Sequence, residues 1–371
     1  MFRGSDESDP CTQESRENRL MNAGSPVVGP ISSAEVIQGT VPDRDGLSTE
    51  DLRLVHALQV VPRAPWSRIG AVLGCDPVTA ARRWARLRED GYAWVTAYRF
   101  TRRTVVALVE LSCAPGRTLE VARDLAGDVE AITIDVTAGG RDLVITVAVE
   151  GDDRLGEYLL DRLGAVQGVM SSRTHVVTSI ASDARSWRLR MLGEPELAAL
   201  EAIPRPSGRQ RAALSGEEFD GVLAALAADG RIRATDLAAR AGIGVDRARA
   251  SLNTVLAAEG IVVRTEVARR YSERPVYAWF FLRSPARSTD RVLRRLATLR
   301  DVRLLATSIG TSNIVLAMWL AGLDDVARVE AVIEQSDADV AIVDRSLVLR
   351  TIKHLGRRLT PDGRSVGEGS A

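Results

Sequence analysis

Three stretches of this chain occur twice, in the same order, and that repetition limits the possible folds more than any other feature. Leu47-Ser48-Thr49-Glu50-Asp51-Leu52 returns as Leu214-Ser215-Gly216-Glu217-Glu218-Phe219. Arg88-Glu89-Asp90-Gly91-Tyr92 returns as Ala257-Ala258-Glu259-Gly260-Ile261, and Gly139-Gly140-Arg141-Asp142 as Gly310-Thr311-Ser312-Asn313. The offsets are 167, 169 and 171 residues. Self-similarity at a nearly constant period marks a duplicated unit, so the fold of the first half should recur in the second.

Each unit opens with helix signals. Ser48 and Asp51 stand at capping-box spacing ahead of the apolar positions Leu52, Val55 and Leu58. A short second helix is expected from Pro65 to Leu73, with Trp66, Ile69 and Val72 turned inward. Asp76 then supplies an N-cap and Pro77 a first helical position, for a third helix that Gly91 ends. Three short helices followed by a β-rich stretch, Tyr92 to Phe100, fit a winged helix-turn-helix.

The remainder of each unit alternates strand and helix in the order βαββαβ, that of a ferredoxin-like domain. Its central strands, Leu143–Val149 and Ile314–Leu320, are apolar almost throughout. Strands of that kind are buried on both faces. Two helices cover only one face of a four-stranded sheet, so the bare faces are expected to pair.

The fold class read from this is α+β: tandem winged helix-turn-helix domains, each followed by a ferredoxin-like βαββαβ sensor domain. The expected divisions are a disordered tail over 1–46, a first reader over 47–100 and a first sensor over 101–181. A linker over 182–213 follows, with a short helix near Glu196–Ala202. Then come a second reader over 214–270, a second sensor over 271–355 and a tail over 356–371.

On the third helix, Ala80, Trp84 and Leu87 form one stripe, while Thr79, Arg82, Arg83 and Arg86 form another. Val78 to Arg88 contains no acid, and forked guanidinium donors suit phosphate oxygens and guanine edges. Thr79, Arg82, Arg83 and Arg86 are therefore the expected DNA contacts. The matching helix of the second unit, about Val245 to Glu259, lacks the Asp-Pro start and carries only Arg247 and Arg249 early on.

Bulk properties narrow the class further. Formal charge is zero and Lys353 is the only lysine, so any nucleic-acid surface must be a local arginine patch. No apolar run has the roughly 18–20 residues of a membrane helix, and Met1–Asn22 does not read as a signal peptide. A cytoplasmic location is expected. Cys11, Cys75 and Cys113 lack metal spacing and read as free thiols. No catalytic set, metal site or cofactor motif emerges.

These residues resemble the Lrp/AsnC transcription regulators. The likeness rests on Leu47-Ser48-x-x-Asp51, Asp76-Pro77-x-Thr79, Arg82-Arg83 and Leu87-Arg88-Glu89-Asp90-Gly91, with Gly139 and Asp142 matching a Gly-x-x-Asp turn before the third sensor strand. The resemblance implies double-stranded DNA as partner. It also implies self-association through the sheet faces of the sensors and a small effector, such as an amino acid, bound between them near Gly139 and Asp142. Gly310 and Asn313 occupy the equivalent turn, where the amide replaces the acid. Typical members carry one copy, so the tandem form is a departure. Two rival readings exist: a tetrapyrrole enzyme like the sirohaem decarboxylases, which would use histidine and arginine, and a sensor that no longer binds DNA. Only His56, His175 and His354 are available to the first. His56 falls on a reader helix and His175 in a strand, where structural roles are expected; Arg82, Arg83 and Arg86 speak against the second.

Overall fold

A computed structural model describes residues 47–203 and 211–367. The expected tail over 1–46 lies outside the described residues, as do 204–210 and 368–371.

The first reader consists of α1 (Thr49–Val60), α2 (Trp66–Leu73) and α3 (Pro77–Glu89), followed by strand β1 (Ala93–Arg99). The capping box forms: Asp51 N–H donates to Ser48 Oγ at 3.2 Å, and Ser48 N–H to Asp51 Oδ2 at 3.0 Å. Asp76 Oδ1 accepts from the amides of Val78 and Thr79 at 2.8 and 3.4 Å, anchoring α3. The next elements are β2 (Thr104–Cys113), α4 (Thr118–Leu125), β3 (Ala131–Ala138), β4 (Leu143–Glu150), α5 (Asp152–Glu157) and the long β5 (Val169–Asp183).

After α6 (Glu194–Glu201) the same order returns. It runs α7 (Gly216–Ala228), α8 (Ala234–Ala241), α9 (Val245–Leu256), β6 (Ile261–Val267), β7 (Val276–Arg283), α10 (Ala286–Leu296), β8 (Val302–Ile309), β9 (Ile314–Leu320), α11 (Asp324–Ser336) and β10 (Ala341–His354). A two-residue strand, β11 (Arg357–Arg358), closes the list.

Strands β2 to β5 and β7 to β10 form one antiparallel sheet that bends into a closed ring. Its order is β10-β3-β4-β2-β5-β8-β9-β7, with β7 returning to β10. The closure depends on the two long strands. β5 pairs with its own neighbour β2 as far as Val176, then with β8 from Val176 to Asp183. β10 likewise pairs with β7 as far as Leu347, then with β3 from Leu347 to Lys353. Ring closure leaves no free edge among these strands.

Strand alternation divides the apolar side chains between two layers. Ala278, Phe280 and Leu282 of β7 pack with Val292 and Leu296 of α10 and with Ile333 of α11. Tyr277, Trp279 and Phe281 of the same strand join Leu108, Val144, Val315 and Trp319 in a separate core. The bare sheet faces thus meet within one chain, which explains why the central strands are apolar on both sides.

Three expectations need correction. The stretch from Tyr92 to Phe100 is not a wing hairpin: β1 pairs antiparallel with β6 of the second reader, from Ala93↔Val267 to Arg99↔Ile261. The 182–213 stretch is not a loose connection over its described first part. Trp187, Leu189, Leu192, Leu200 and Ile203 are buried, and His56 Nδ1 accepts from the amides of Met191 and Leu192 at 2.9 and 3.1 Å. Within the expected tail, residues 356–367 are folded, and Ser365 N–H donates to Gly91 O at 2.8 Å. Gly91 is needed there: its φ is +75°, and a Cβ would stand 2.4 Å from Ser365 O.

Candidate nucleic-acid interface and effector cleft

Helix α3 buries Ala80, Trp84 and Leu87, as its periodicity requires. Thr79 and Arg82 are exposed, and Arg82 has no ion-pair partner among the described residues. Arg83 and Arg86 behave differently. Arg83 Nη1 lies 3.2 Å from Asp51 Oδ1 and 3.1 Å from Ser48 Oγ, and Arg86 Nη2 lies 2.6 Å from Asp51 Oδ2. Burial alone would raise the pKa of Asp51, but the Arg86 hydrogen bond and the Ser48 amide hold it below the ordinary carboxylate value. The stretch from Val78 to Arg88 lacks an acid; α1 supplies one. Arg83 and Arg86 therefore clamp α3 to the capped end of α1, and the outward part of the predicted stripe contracts to Thr79 and Arg82, with the half-exposed Arg86 beside them.

The second reader shows the same economy. Arg247 of α9 pairs with Glu218, the capping acid of α7, at 2.9 Å, and Arg249 pairs with Asp246 at 2.6 Å.

The two readers dock through reciprocal contacts. Thr96 Oγ1 donates to Ala227 O at 2.9 Å, and its counterpart Thr265 donates to Leu58 O at 2.7 Å. Arg231 donates to Pro62 O and Ala64 O at 2.6 and 2.8 Å, while Arg63 donates to Gly230 O and, at 3.1 Å, to Ile232 O. Each arginine thus caps carbonyls in the turn between the first two helices of the opposite reader.

The two glycine turns lie where the sensor halves meet. Gly139 has φ +120°, and a Cβ there would stand 3.0 Å from Arg345 O and 3.2 Å from Ser346 Oγ. At Gly310 a Cβ would stand 2.4 Å from His175 Nδ1. The acid and amide expected to meet an effector do other work. Asp142 Oδ2 accepts from Cys113 N–H at 2.7 Å. Asn313 Oδ1 accepts from Ser284 N–H at 2.9 Å, and its Nδ2 donates to Ser284 O at 2.7 Å. Both side chains staple their turn to the end of a neighbouring strand, Asp142 through one carboxylate oxygen and Asn313 through both amide atoms.

A charged network missing from the sequence reading fills the first turn's side. Arg141 Nε lies 2.9 Å from Glu110 Oε2, its Nη1 donates to Ser346 Oγ at 2.6 Å, and its other Nη pairs with Asp344. The guanidinium sits 4.2 Å above the Phe281 ring. His175 Nε2 is 2.7 Å from Glu110 Oε1, and its Nδ1 is 3.3 Å from Ser312 Oγ. Burial would raise the pKa of Glu110; the His175 and Arg141 bonds keep it low. Glu110, a lone acid in the apolar run Val105–Leu111, was the signal that could have shown this. On the second turn's side a cleft of about 620 Å³ stays open, lined by Arg283, Ser308, Gly310, Asn313 and Asp339.

These features define a class: a helix-turn-helix module followed by a ferredoxin-like module. Family models agree. The AsnC-type helix-turn-helix domain matches residues 50–88, and the Lrp/AsnC ligand binding domain matches residues 106–187. Residues 50–88 and 106–187 are thus similar to the two modules of the Lrp/AsnC family. An uncharacterized HTH-type transcriptional regulator of Pyrococcus furiosus is 28% identical over 135 residues, covering 35% of this chain and 90% of that protein. HTH-type transcriptional regulator FL11 of Pyrococcus horikoshii is 25% identical over 131 residues, covering 34% and 86%. These relatives account for about a third of the chain. A longer match is in fold alone: the siroheme decarboxylase NirDL superposes with a TM-score of 0.51 at 14% identity, covering 82% of this chain and 93% of that one. No helix among the described residues is long and apolar enough to cross a membrane.

Proposed function

We propose that this chain is a cytoplasmic, DNA-binding transcription regulator built from two copies of one reader-plus-sensor unit. The first copy spans 47–100 and 101–181, and the second spans 214–270 and 271–355. The carrying observation is the exposed N-terminal half of α3, which presents Thr79 and Arg82 beside a firmly capped helix start. A helix in this position of a helix-turn-helix enters a major groove. The effector-responsive element is the open cleft at Gly310 and Asn313, rather than the turn at Gly139 and Asp142, whose side is occupied by Arg141. An amino acid there would meet backbone groups and Arg283 more than the Asn313 side chain. Self-association through the sensor faces is met internally, each half acting as the other's partner. The relatives' names as transcriptional regulators support this reading. So does the histidine inventory: His56 and His175 are buried and bonded, and His354 Nε2 lies 3.3 Å from Glu266, which leaves little for a tetrapyrrole enzyme.

The test is DNA binding measured across a salt series. Arg82→Ala should weaken binding and lower the log–log salt slope by about 0.9, the value of one phosphate contact. Arg86→Gln should chiefly lower stability, by roughly 1–3 kcal/mol, because Asp51 loses a partner. Unchanged affinity and slope in Arg82→Ala would remove α3 from the interface, and a porphyrin absorbance band in the purified protein would favour the enzyme.

A further inference from the structure

A separate cleft of about 370 Å³ opens between the barrel wall and the paired strands of the readers. Trp94 of β1, Tyr277 of β7 and Trp319 of β9 supply its aromatic lining, and Arg269, Arg270 and Arg350 its charge. A volume of this order takes a small ligand.

None of the three guanidiniums has a carboxylate within salt-bridge distance among the described residues. Arg269 donates to Pro275 O and sits 5.6 Å from the Tyr277 ring centre. Burial lowers the pKa of Arg269 and nearby buried Asp135 opposes that, but this carboxylate already accepts from Thr351 at 2.7 Å and Trp279 at 3.3 Å. The acid at the cleft's rim, Asp362, is bonded to Tyr271 at 2.8 Å and to Arg364 at 2.7 Å. Positive charge therefore predominates in the lining.

Two donors in this wall also lack acceptors. The Trp94 indole N–H belongs to a residue only 1% exposed, and the Arg350 Nε–H is equally cut off from solvent. Buried donors without acceptors are costly and uncommon. Finding two beside one cleft, together with two further arginines, marks a place shaped for an acceptor-rich anion. The flanking rings select for a flat apolar body, and planar guanidiniums bind carboxylates through paired bonds.

We infer that this cleft binds a small aromatic carboxylate, at a site distinct from the glycine-turn cleft. The ring lies among Trp94, Tyr277 and Trp319, and its carboxylates meet Arg350 and the Arg269–Arg270 pair. The site touches β1, β6 and β10, so its occupant bridges both readers and the barrel. This inference does not depend on DNA binding, and its failure would leave the regulator reading intact.

Titration calorimetry of the full chain with isophthalate tests it. Three comparisons decide: isophthalamide, which keeps the ring without charge; glutarate, which keeps two carboxylates without the ring; and L-leucine. One-to-one binding of isophthalate is expected, with isophthalamide and glutarate at least about tenfold weaker. Arg350→Gln and, separately, the exposed Arg270→Gln should each weaken isophthalate by about tenfold while melting like the parent protein. If Arg350→Gln proves unstable, Arg270→Gln carries the same comparison. No binding at millimolar isophthalate, equal binding of any comparison compound, or full affinity in a folded arginine variant would overturn the site.

Discussion

His56 shows how much a single side chain can hold. Its Nδ1 accepts two backbone amides from the 182–203 segment, and burial, then Arg188 and Arg190, push its pKa from 6.5 down to about 4. Because the folded value lies below the unfolded one, protonation favours the unfolded chain. The stability His56 contributes is complete above about pH 6.5 and is lost as pH falls toward 4, an effect on the order of 3 kcal/mol. His56→Asn offers Oδ1 in place of Nδ1 and does not titrate. Urea unfolding over a pH series should show the wild-type decline across that window and a flatter line for the variant. Parallel curves would mean that another group sets the acid sensitivity.

At the level of elements, the β1–β6 ladder depends on close approach at one glycine. Gly230 N–H donates to Val95 O at 2.8 Å, and a Cβ at Gly230 would stand 2.4 Å from Val95 Cγ1 and 3.0 Å from the Val95 carbonyl carbon. Gly230→Ala must push the readers apart and should cost roughly 1–3 kcal/mol, seen as a lowered melting temperature; an unchanged one would show that the ladder is slack. The residues that make this ladder also mark the boundary of what the sequence reveals. Helix starts are legible because caps are local: Ser48 and Asp51, or Asp76 and Pro77, need no distant partner. The apolar run of β9 showed that both its faces are buried, without showing what buries the second. The partner of β1 lies some 168 residues away at Ile261–Val267, beyond any local signal, and the stretch therefore resembled a wing. Asp142 and Asn313 misled for a related reason. Their position in a turn is visible in sequence, but their bonds to Cys113 and Ser284 exist only once strands are adjacent.

Across the whole molecule, the ring of strands explains why two units in one chain are not interchangeable with two chains. The barrel's inner layer takes Tyr277, Trp279, Phe281 and Trp319 from the second unit. At an offset of 171 residues the first unit has Val106, Leu108, Glu110 and Ala148 in their places, and Ile132 where Arg303 stands. The two halves of the chain thus supply complementary fillings, one bulky and one small. Residues 47–187 alone would leave β3 without β10 and half of β5 without β8, with Leu108 and Val144 bare. Two such halves could restore the edge pairing but not the aromatic filling, and unfilled volume in a core costs stability in proportion to its size. The isolated first half should therefore self-associate and melt well below the full chain, as read by sedimentation velocity and thermal unfolding. A monomer that melts as high as the full chain would show that the inner layer contributes little.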